Sequence, residues 1–190
     1  MTRENALISL GFRQDRPVVA IIGGSQGSRA INSIIQQTLP LLQSECHVQV
    51  YWQTGPDQYE KLATYNRNDV KVEPFSNNMG AVYTAADLII SRAGAMTLSE
   101  ITACGKPSIL IPFPGAAADH QTKNAATLVA NGAARIIPEF ELTPEKLADE
   151  IIKLLKGEKV LKEMAKAAQR TAINNAAERI VTEIERLAQA

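Results

Sequence analysis

Residues 17–28 read PVVAIIGGSQGS, an apolar segment that runs directly into a Gly-rich loop. Every position from Val18 to Ile22 is apolar, which is typical of a strand that helices cover on both faces of a parallel sheet. Beyond the loop, Ile31, Ile35 and Leu39 recur at the spacing of an amphipathic helix. A strand, a Gly-rich loop and a helix in this order predict a doubly wound α/β fold.

The same alternation of apolar runs and helical patterns continues along the chain. Six short strands are predicted, at residues 17–23, 48–53, 70–75, 88–91, 108–113 and 135–137. Because helical patterns separate them, the strands are expected to be parallel with right-handed crossovers. The fold class is therefore α/β, a Rossmann-like doubly wound parallel sheet of about six strands with C-terminal helices, in one domain over residues 1–190.

After Pro138 the pattern is helical only. Thr143 is a predicted cap, Pro144 a predicted first helical residue and Gly157 a predicted end, and another helix is expected from about Lys159.

The terminal segment contains a predicted break at Asn174–Asn175 and then an apolar stripe of Ile180, Ile184 and Leu187. Packing against the domain's own sheet is the first interpretation of this stripe, since apolar helix faces usually belong to a core. The alternative is an exposed face for a missing partner.

Composition excludes several classes of protein. The chain has 190 residues, 45% of them hydrophobic, with 20 basic and 20 acidic side chains and no cluster of positive charge, so a nucleic-acid partner is not expected. No apolar run approaches the roughly 20 residues of a spanning helix, and the start lacks a signal peptide. Cys46 and Cys104 lack metal-ligand spacing and predict reduced thiols in a cytoplasmic protein without a metal site.

Polar and small residues are concentrated at two strand-to-helix junctions, residues 91–100 and 112–124. Such junctions place loops and helix amino termini beside the crevice where open α/β sheets bind ligands, which favours a phosphorylated ligand. The loop at 23–28 is neither a P-loop nor a full dinucleotide fingerprint. Gln53 and Thr54 stand where a dehydrogenase usually has an acidic ribose ligand, so a dehydrogenase is disfavoured.

Glu100 has two interpretations. With Thr97 it fits the spacing of a capping box, but a carboxylate beside the ligand could instead accept hydrogen bonds from two ribose hydroxyls. The sequence leaves both roles open.

The second junction offers neutral amides. Gln121 and Asn124 can share a helix face and suit sugar hydroxyls, while Asp119 fits an N-cap. No Asp-x-Asp pair suggests a metal-held diphosphate, so backbone dipoles, with Arg3 or Arg92, are the candidates for meeting phosphate charge.

Several motifs in a fixed order carry a family resemblance. They are GGSQG at 23–27, Pro74–Phe75 with Met79, SRAGAMTLSE at 91–100 and DHQTKNA at 119–125. Together they closely resemble the MurG family of peptidoglycan N-acetylglucosaminyltransferases, which make lipid II. The resemblance covers essentially the whole chain but only the carboxyl-terminal half of that family's two-domain GT-B fold.

The resemblance implies a division of labour between two halves. This half is expected to bind UDP-N-acetylglucosamine without a metal or other cofactor. The amino-terminal half is expected to be absent. In that family it binds lipid I, contacts the inner membrane from the cytoplasmic face and supplies the catalytic base. The chain alone is therefore expected to bind the donor without turnover.

By the same resemblance, the donor contacts fall on residues that follow the predicted strands: Gly24, Ser25 and Gln26 at the diphosphate and sugar, Phe75 and Ser76 at the uracil, Gly94, Ala95, Met96 and Thr97 at the phosphates, Glu100 at the ribose, and His120, Gln121 and Asn124 at N-acetylglucosamine. Arg3 is similar to the family's Arg after the interdomain linker. The chain departs from the family pattern where Ser76 replaces a common Ile, and where Gly115 and Ala118 replace a His and an Asp.

Two other hypotheses remain open at this point. One is a stand-alone UDP-sugar-binding subunit of a two-component GlcNAc transferase. The other is an enzyme of a different class on the same fold, such as half of a UDP-sugar epimerase.

Overall fold

The sheet has the predicted number of strands, all parallel. The computed structural model describes residues 1–173 and 175–188. It contains strands β1 (Val18–Ile22), β2 (Gln49–Gln53), β3 (Val70–Glu73), β4 (Leu88–Ser91), β5 (Ser108–Leu110) and β6 (Ala134–Ile136). The strand order is β3-β2-β1-β4-β5-β6, and every pairing is parallel. The predicted sheet is confirmed.

Helices cover both faces of this sheet. They are α1 (Arg3–Leu10), α2 (Arg29–Glu45), α3 (Pro56–Leu62), α4 (Met79–Ala85), α5 (Ala95–Ala103), α6 (His120–Ala130), α7 (Pro144–Lys156), α8 (Glu158–Thr171) and α9 (Ala176–Ala188). One core joins α2 and α7 to the sheet, and a second core joins α1, α4, α5 and α6 to the opposite face. Strands β1 and β4 are fully buried between these two layers.

The chain reverses its direction of travel across the sheet between β1 and β4. In an open α/β sheet, the loops at the carboxyl ends of the strands on either side of such a point diverge and leave a crevice for a ligand. The Gly-rich loop follows β1, and residues 92–94 follow β4, so both lie at this crevice.

The predicted boundaries of α7 are confirmed. The Thr143 hydroxyl accepts a hydrogen bond from the Lys146 N–H at 3.2 Å, Pro144 is the first helical residue, and Gly157 ends the helix. None of the helices described for this chain combines the length and apolarity needed to cross a bilayer.

The apolar stripe of α9 does not join the core. Ile180, Ile184 and Leu187 are 60–64% exposed, so the interpretation that they pack against the domain's own sheet is wrong. Asn174, half of the predicted break, lies outside the described residues, and Asn175 directly precedes α9.

Candidate functional site

The Gly-rich loop connects β1 to α2. Ser28 is the N-cap of α2, where its hydroxyl accepts a hydrogen bond from the Ile31 N–H at 3.3 Å. Ser25 and Gln26 stand exposed at the tip of the loop. Both polar side chains are therefore accessible at the carboxyl edge of the sheet.

Two glycines pack this loop against the end of β2. Gly27 has a φ of +73°, and a Cβ there would lie 1.9 Å from the Thr54 carbonyl oxygen. A Cβ on Gly55, whose φ is +81°, would lie 2.2 Å from the Gln26 carbonyl oxygen. These positions require glycine for the fold itself.

Gly24 and Gly94 have different surroundings. A Cβ built on either residue meets no atom within 4 Å, and Gly94 has an ordinary φ of −69°. Open space therefore adjoins the backbone at both loops that border the crevice. At Gly94 neither the backbone conformation nor the packing of the described residues calls for glycine.

Gln53 links two loops of the site. It ends β2 and is 2% exposed. Its Nε2 donates to the Gly24 carbonyl oxygen at 3.0 Å, and its Oε1 accepts from the Ser76 N–H at 3.0 Å. The spacing between the Gly-rich loop and the loop after β3 is therefore fixed by one buried amide. This role was not predicted from the sequence, although a Gln at the end of a mostly apolar strand is a visible signal.

Replacing Gln53 by Met is expected to lower the free energy of unfolding by about 2 kcal/mol, because it leaves the buried Ser76 N–H and the partly buried Gly24 carbonyl oxygen without their partner. Chemical denaturation measures this change. Gln37→Met on the exposed face of α2 is the control, because the Gln37 amide donates to the Ser33 carbonyl oxygen one turn earlier in the same helix. Equal stability of the two variants would contradict the linking role.

Helix α5 starts earlier than predicted and has no side-chain cap. Its first residue is Ala95 and its N-cap is Gly94, whereas the sequence predicted a start near Thr97. The N–H groups of the first helical turn have no intrahelical acceptor, and they carry the positive end of the helix dipole. The Ala95, Met96 and Thr97 amides are thus directed toward the open space beside Gly94.

The capping-box interpretation of Glu100 is wrong, because Thr97 is the third residue of the helix rather than its cap. Instead, the Glu100 carboxylate accepts a hydrogen bond from the Tyr83 hydroxyl, with 2.8 Å between the two oxygens. Glu100 is exposed at the surface. Its carboxylate is anchored on one side and accessible on the other.

The amide side chains at the start of α6 bind backbone. The Gln121 Oε1 accepts from the Ala93 N–H at 3.2 Å and from the Phe113 N–H at 3.0 Å, while the Asn124 Nδ2 donates to the Ala93 carbonyl oxygen at 3.2 Å. These contacts join the loops after β4 and β5. Gln121 also lines an open cleft of about 470 Å³ with Ser28 and other residues of these loops.

Asp119 and His120 precede and begin α6. Asp119 occupies the N-cap position with a φ of +53°, but its side chain caps no N–H, so the predicted capping role is wrong. The His120 Nδ1 lies 2.7 Å from the Ala117 carbonyl oxygen. A neutral His120 that donates from Nδ1 has Nε2 as an acceptor.

Both candidate cations, Arg92 and Arg3, are paired with other residues of the domain. The Arg92 guanidinium donates to the Ser28 hydroxyl at 2.8 Å and to two carbonyl oxygens after β5, and it pairs with Glu139. Arg3 pairs with Asp87 at 2.7 Å, and Asp87 also accepts from the first N–H of β1. Arg3 therefore lies at the amino-terminal edge of the sheet and, against expectation, does not join the other candidate residues.

Phe75 and Ser76 follow β3. Phe75 is 51% exposed, whereas Ser76 is buried. Over residues 1–173 and 175–188, no group of three or more His, Cys, Asp or Glu side chains is placed to hold a metal ion.

A doubly wound parallel sheet in this strand order is the Rossmann type of α/β domain, in which ligands bind at the switch point of the sheet. Residues 18–180 match the model of the glycosyltransferase family 28 C-terminal domain. The chain belongs to that family. Its fold is that of the carboxyl-terminal half of a GT-B glycosyltransferase, and the resemblance to the MurG family is confirmed.

Two curated relatives and one solved structure show how far the similarity extends. The chain is 40% identical over 184 residues to the UDP-N-acetylglucosamine–N-acetylmuramyl-(pentapeptide) pyrophosphoryl-undecaprenol N-acetylglucosamine transferase of Acetivibrio thermocellus, covering 95% of this chain and 50% of the relative. It is 49% identical over 160 residues to the Syntrophus aciditrophicus protein of the same name, covering 81% and 44%. The crystal structure of Acinetobacter baumannii MurG matches with a TM-score of 0.81 and 32% identity, covering 98% of this chain and 53% of that one. The chain thus spans about half the length of the relatives that it matches.

Proposed function

We propose that residues 1–190 are the donor-binding domain of an inverting glycosyltransferase. The complete enzyme transfers N-acetylglucosamine from UDP-N-acetylglucosamine to undecaprenyl-diphospho-MurNAc-pentapeptide, lipid I, and so forms lipid II for peptidoglycan. The names of the curated relatives support this reaction. The observation that carries the proposal is the uncapped amino terminus of α5, which faces open space at the switch point of the sheet.

The site offers a separate group for each part of the donor. The diphosphate is bound by the Ala95, Met96 and Thr97 amides, whose dipoles favour negative charge. Glu100 accepts hydrogen bonds from the ribose hydroxyls, since an ionised carboxylate has acceptor sites only. Phe75 and the backbone of Ser76 bound the uracil.

The sugar is bound at the loops after β1 and β5. The Gln121 Oε1 already accepts two backbone N–H groups, so its Nε2 is the atom that donates to a hydroxyl of N-acetylglucosamine. Ser25 and Gln26 reach the sugar and diphosphate from the Gly-rich loop, beside Gly24. His120 and Asn124 flank the sugar.

The reaction places charge where α5 can stabilise it. The acceptor hydroxyl attacks the anomeric carbon, the bond from that carbon to the diphosphate oxygen breaks, and negative charge grows on the departing UDP. Fixed N–H groups aimed at this oxygen stabilise the transition state more than the ground state, which is the condition for raising the rate. The group that takes the proton from the acceptor belongs to the other half of the enzyme.

The two halves of the complete enzyme are proposed to have different partners. Lipid I and the cytoplasmic face of the inner membrane are contacted through the acceptor-binding half, and this domain contributes the nucleotide sugar. The chain alone therefore binds the donor without transferring it.

Isothermal titration calorimetry of this chain with UDP-N-acetylglucosamine, UDP and GDP tests the proposal. We expect saturable binding of both uridine nucleotides, much weaker binding of GDP, and the same affinities in EDTA, because backbone amides rather than a bound cation meet the phosphate charge. Absence of UDP and UDP-N-acetylglucosamine binding at millimolar concentration would reject the proposal. Equal affinity for UDP and GDP would reject the assigned uracil contacts.

A further inference from the structure

A buried phenol lies behind the carboxylate of Glu100. Tyr83 belongs to α4 and is 3% exposed. Its hydroxyl reaches across to the neighbouring helix α5 and donates to the Glu100 Oε2 at 2.8 Å. Burial, with a further contribution from Glu100, raises the pKa of Tyr83 well above its ordinary value, so the phenol remains a hydrogen-bond donor at physiological pH.

The two side chains that form this hydrogen bond differ in conformational freedom. The Tyr83 ring is packed in the core shared by α1, α4 and α5, and it cannot follow a moving partner. Glu100 stands on the exposed face of α5, where a Glu side chain samples several rotamers in water. A fixed donor at Oε2 restricts those rotamers and leaves Oε1, which has two acceptor sites, open to the ribose hydroxyls.

We infer that Tyr83 is a positioning residue of the donor site, whose hydroxyl holds the Glu100 carboxylate in the orientation that accepts the ribose hydroxyls. This inference rests on the proposed function, because it assigns the purpose of Tyr83 through the ribose contact of Glu100. Tyr83 itself touches no part of the donor. Its effect is to fix the carboxylate before the nucleotide arrives, which removes an ordering cost from binding.

The test compares two nucleotides that differ only in the ribose hydroxyls, UDP and 2′,3′-dideoxy-UDP. Their dissociation constants are measured by calorimetry for the unaltered chain and for Tyr83→Phe. We expect Tyr83→Phe to weaken UDP binding about fivefold, the range of one hydrogen bond, and to leave the dideoxy nucleotide unchanged. The dissociation constant of the dideoxy nucleotide divided by that of UDP therefore falls about fivefold, and this quotient is the ratio compared below. A general loss of stability would not change this ratio.

Tyr51→Phe is the matched control. Tyr51 is also buried, and its hydroxyl donates to the carboxylate of Glu73 and not to Glu100. We expect this variant to leave the ratio of dissociation constants as it is in the unaltered chain, although it removes the same kind of hydrogen bond.

Each remaining outcome has one meaning. An unchanged ratio in Tyr83→Phe, with the unaltered chain preferring UDP to the dideoxy nucleotide, would overturn the inference alone. A fall in the ratio as large in Tyr51→Phe would overturn it too. Failure of the unaltered chain to bind UDP at all would overturn the proposed function first, and so the two failures are distinguishable.

Discussion

Glu100→Ala is expected to weaken UDP binding by about two orders of magnitude while lowering the free energy of unfolding by no more than about 1.5 kcal/mol. Hydrogen bonds to a charged group contribute about 1.5–3 kcal/mol each, and the carboxylate is proposed to accept two from the ribose. The stability cost is small because Glu100 is exposed and caps no helix. Because Glu100 is exposed, water is expected to reach the Tyr83 hydroxyl once the carboxylate is gone. Calorimetry and chemical denaturation measure the two changes.

Glu163→Ala serves as the control, because Glu163 is an exposed glutamate on α8, away from the loops of the crevice. It should change neither UDP affinity nor stability appreciably. A Glu100→Ala variant that loses about 3 kcal/mol of stability and retains its UDP affinity would show that the residue has a structural role only.

Gly27→Ala is expected to destabilise the fold by at least about 3 kcal/mol. One contribution is the strain of an L side chain in a left-handed backbone conformation, and the other is overpacking of a space that is already filled. The added Cβ would fall 1.9 Å from the Thr54 carbonyl oxygen, so either the Gly-rich loop or the end of β2 must move. The midpoint of urea denaturation should shift to a clearly lower concentration, and UDP affinity should fall with the displaced loop.

Gly94→Ala is the informative comparison for this variant. Its φ of −69° suits alanine, and the new methyl group meets no atom within 4 Å. We expect stability within about 0.5 kcal/mol of the unaltered chain, with weaker UDP binding because the methyl group enters the space assigned to the diphosphate. Equal destabilisation by the two substitutions would contradict the distinction between a packing glycine and a ligand-facing glycine.

The sheet was predictable because burial on both faces leaves a direct mark on the sequence. Strands such as Val18–Ile22 must be apolar throughout, and the helices between them must be amphipathic, so strand number and direction follow from the pattern. The ends were less accurate. The run at 108–113 was predicted as one strand, but β5 ends at Leu110, and Pro112 and Pro114 lack the N–H that would continue a ladder.

The site was predictable only in part. Its location followed from the junctions after the strands, but its side-chain partners did not. Tyr83 and Glu100 are 17 residues apart, and Gln53 and Ser76 are 23 apart, distances that no local periodicity encodes. The capping-box spacing matched by coincidence, because Gly94 takes the cap position. Likewise, the stripe on α9 shows that the helix is amphipathic but does not specify what would cover it.

The paired N–H groups that hold the Gln121 oxygen have a consequence for the sugar contact proposed above. With that oxygen saturated, the amide cannot flip, and the atom that it presents to the cleft is a donor and never an acceptor. The Gln121 Nε2 can therefore pair only with an acceptor atom of a ligand. Under the proposed function, Gln121→Glu would preserve the shape and the two backbone contacts but would present an acceptor oxygen to the sugar hydroxyl in place of a donor.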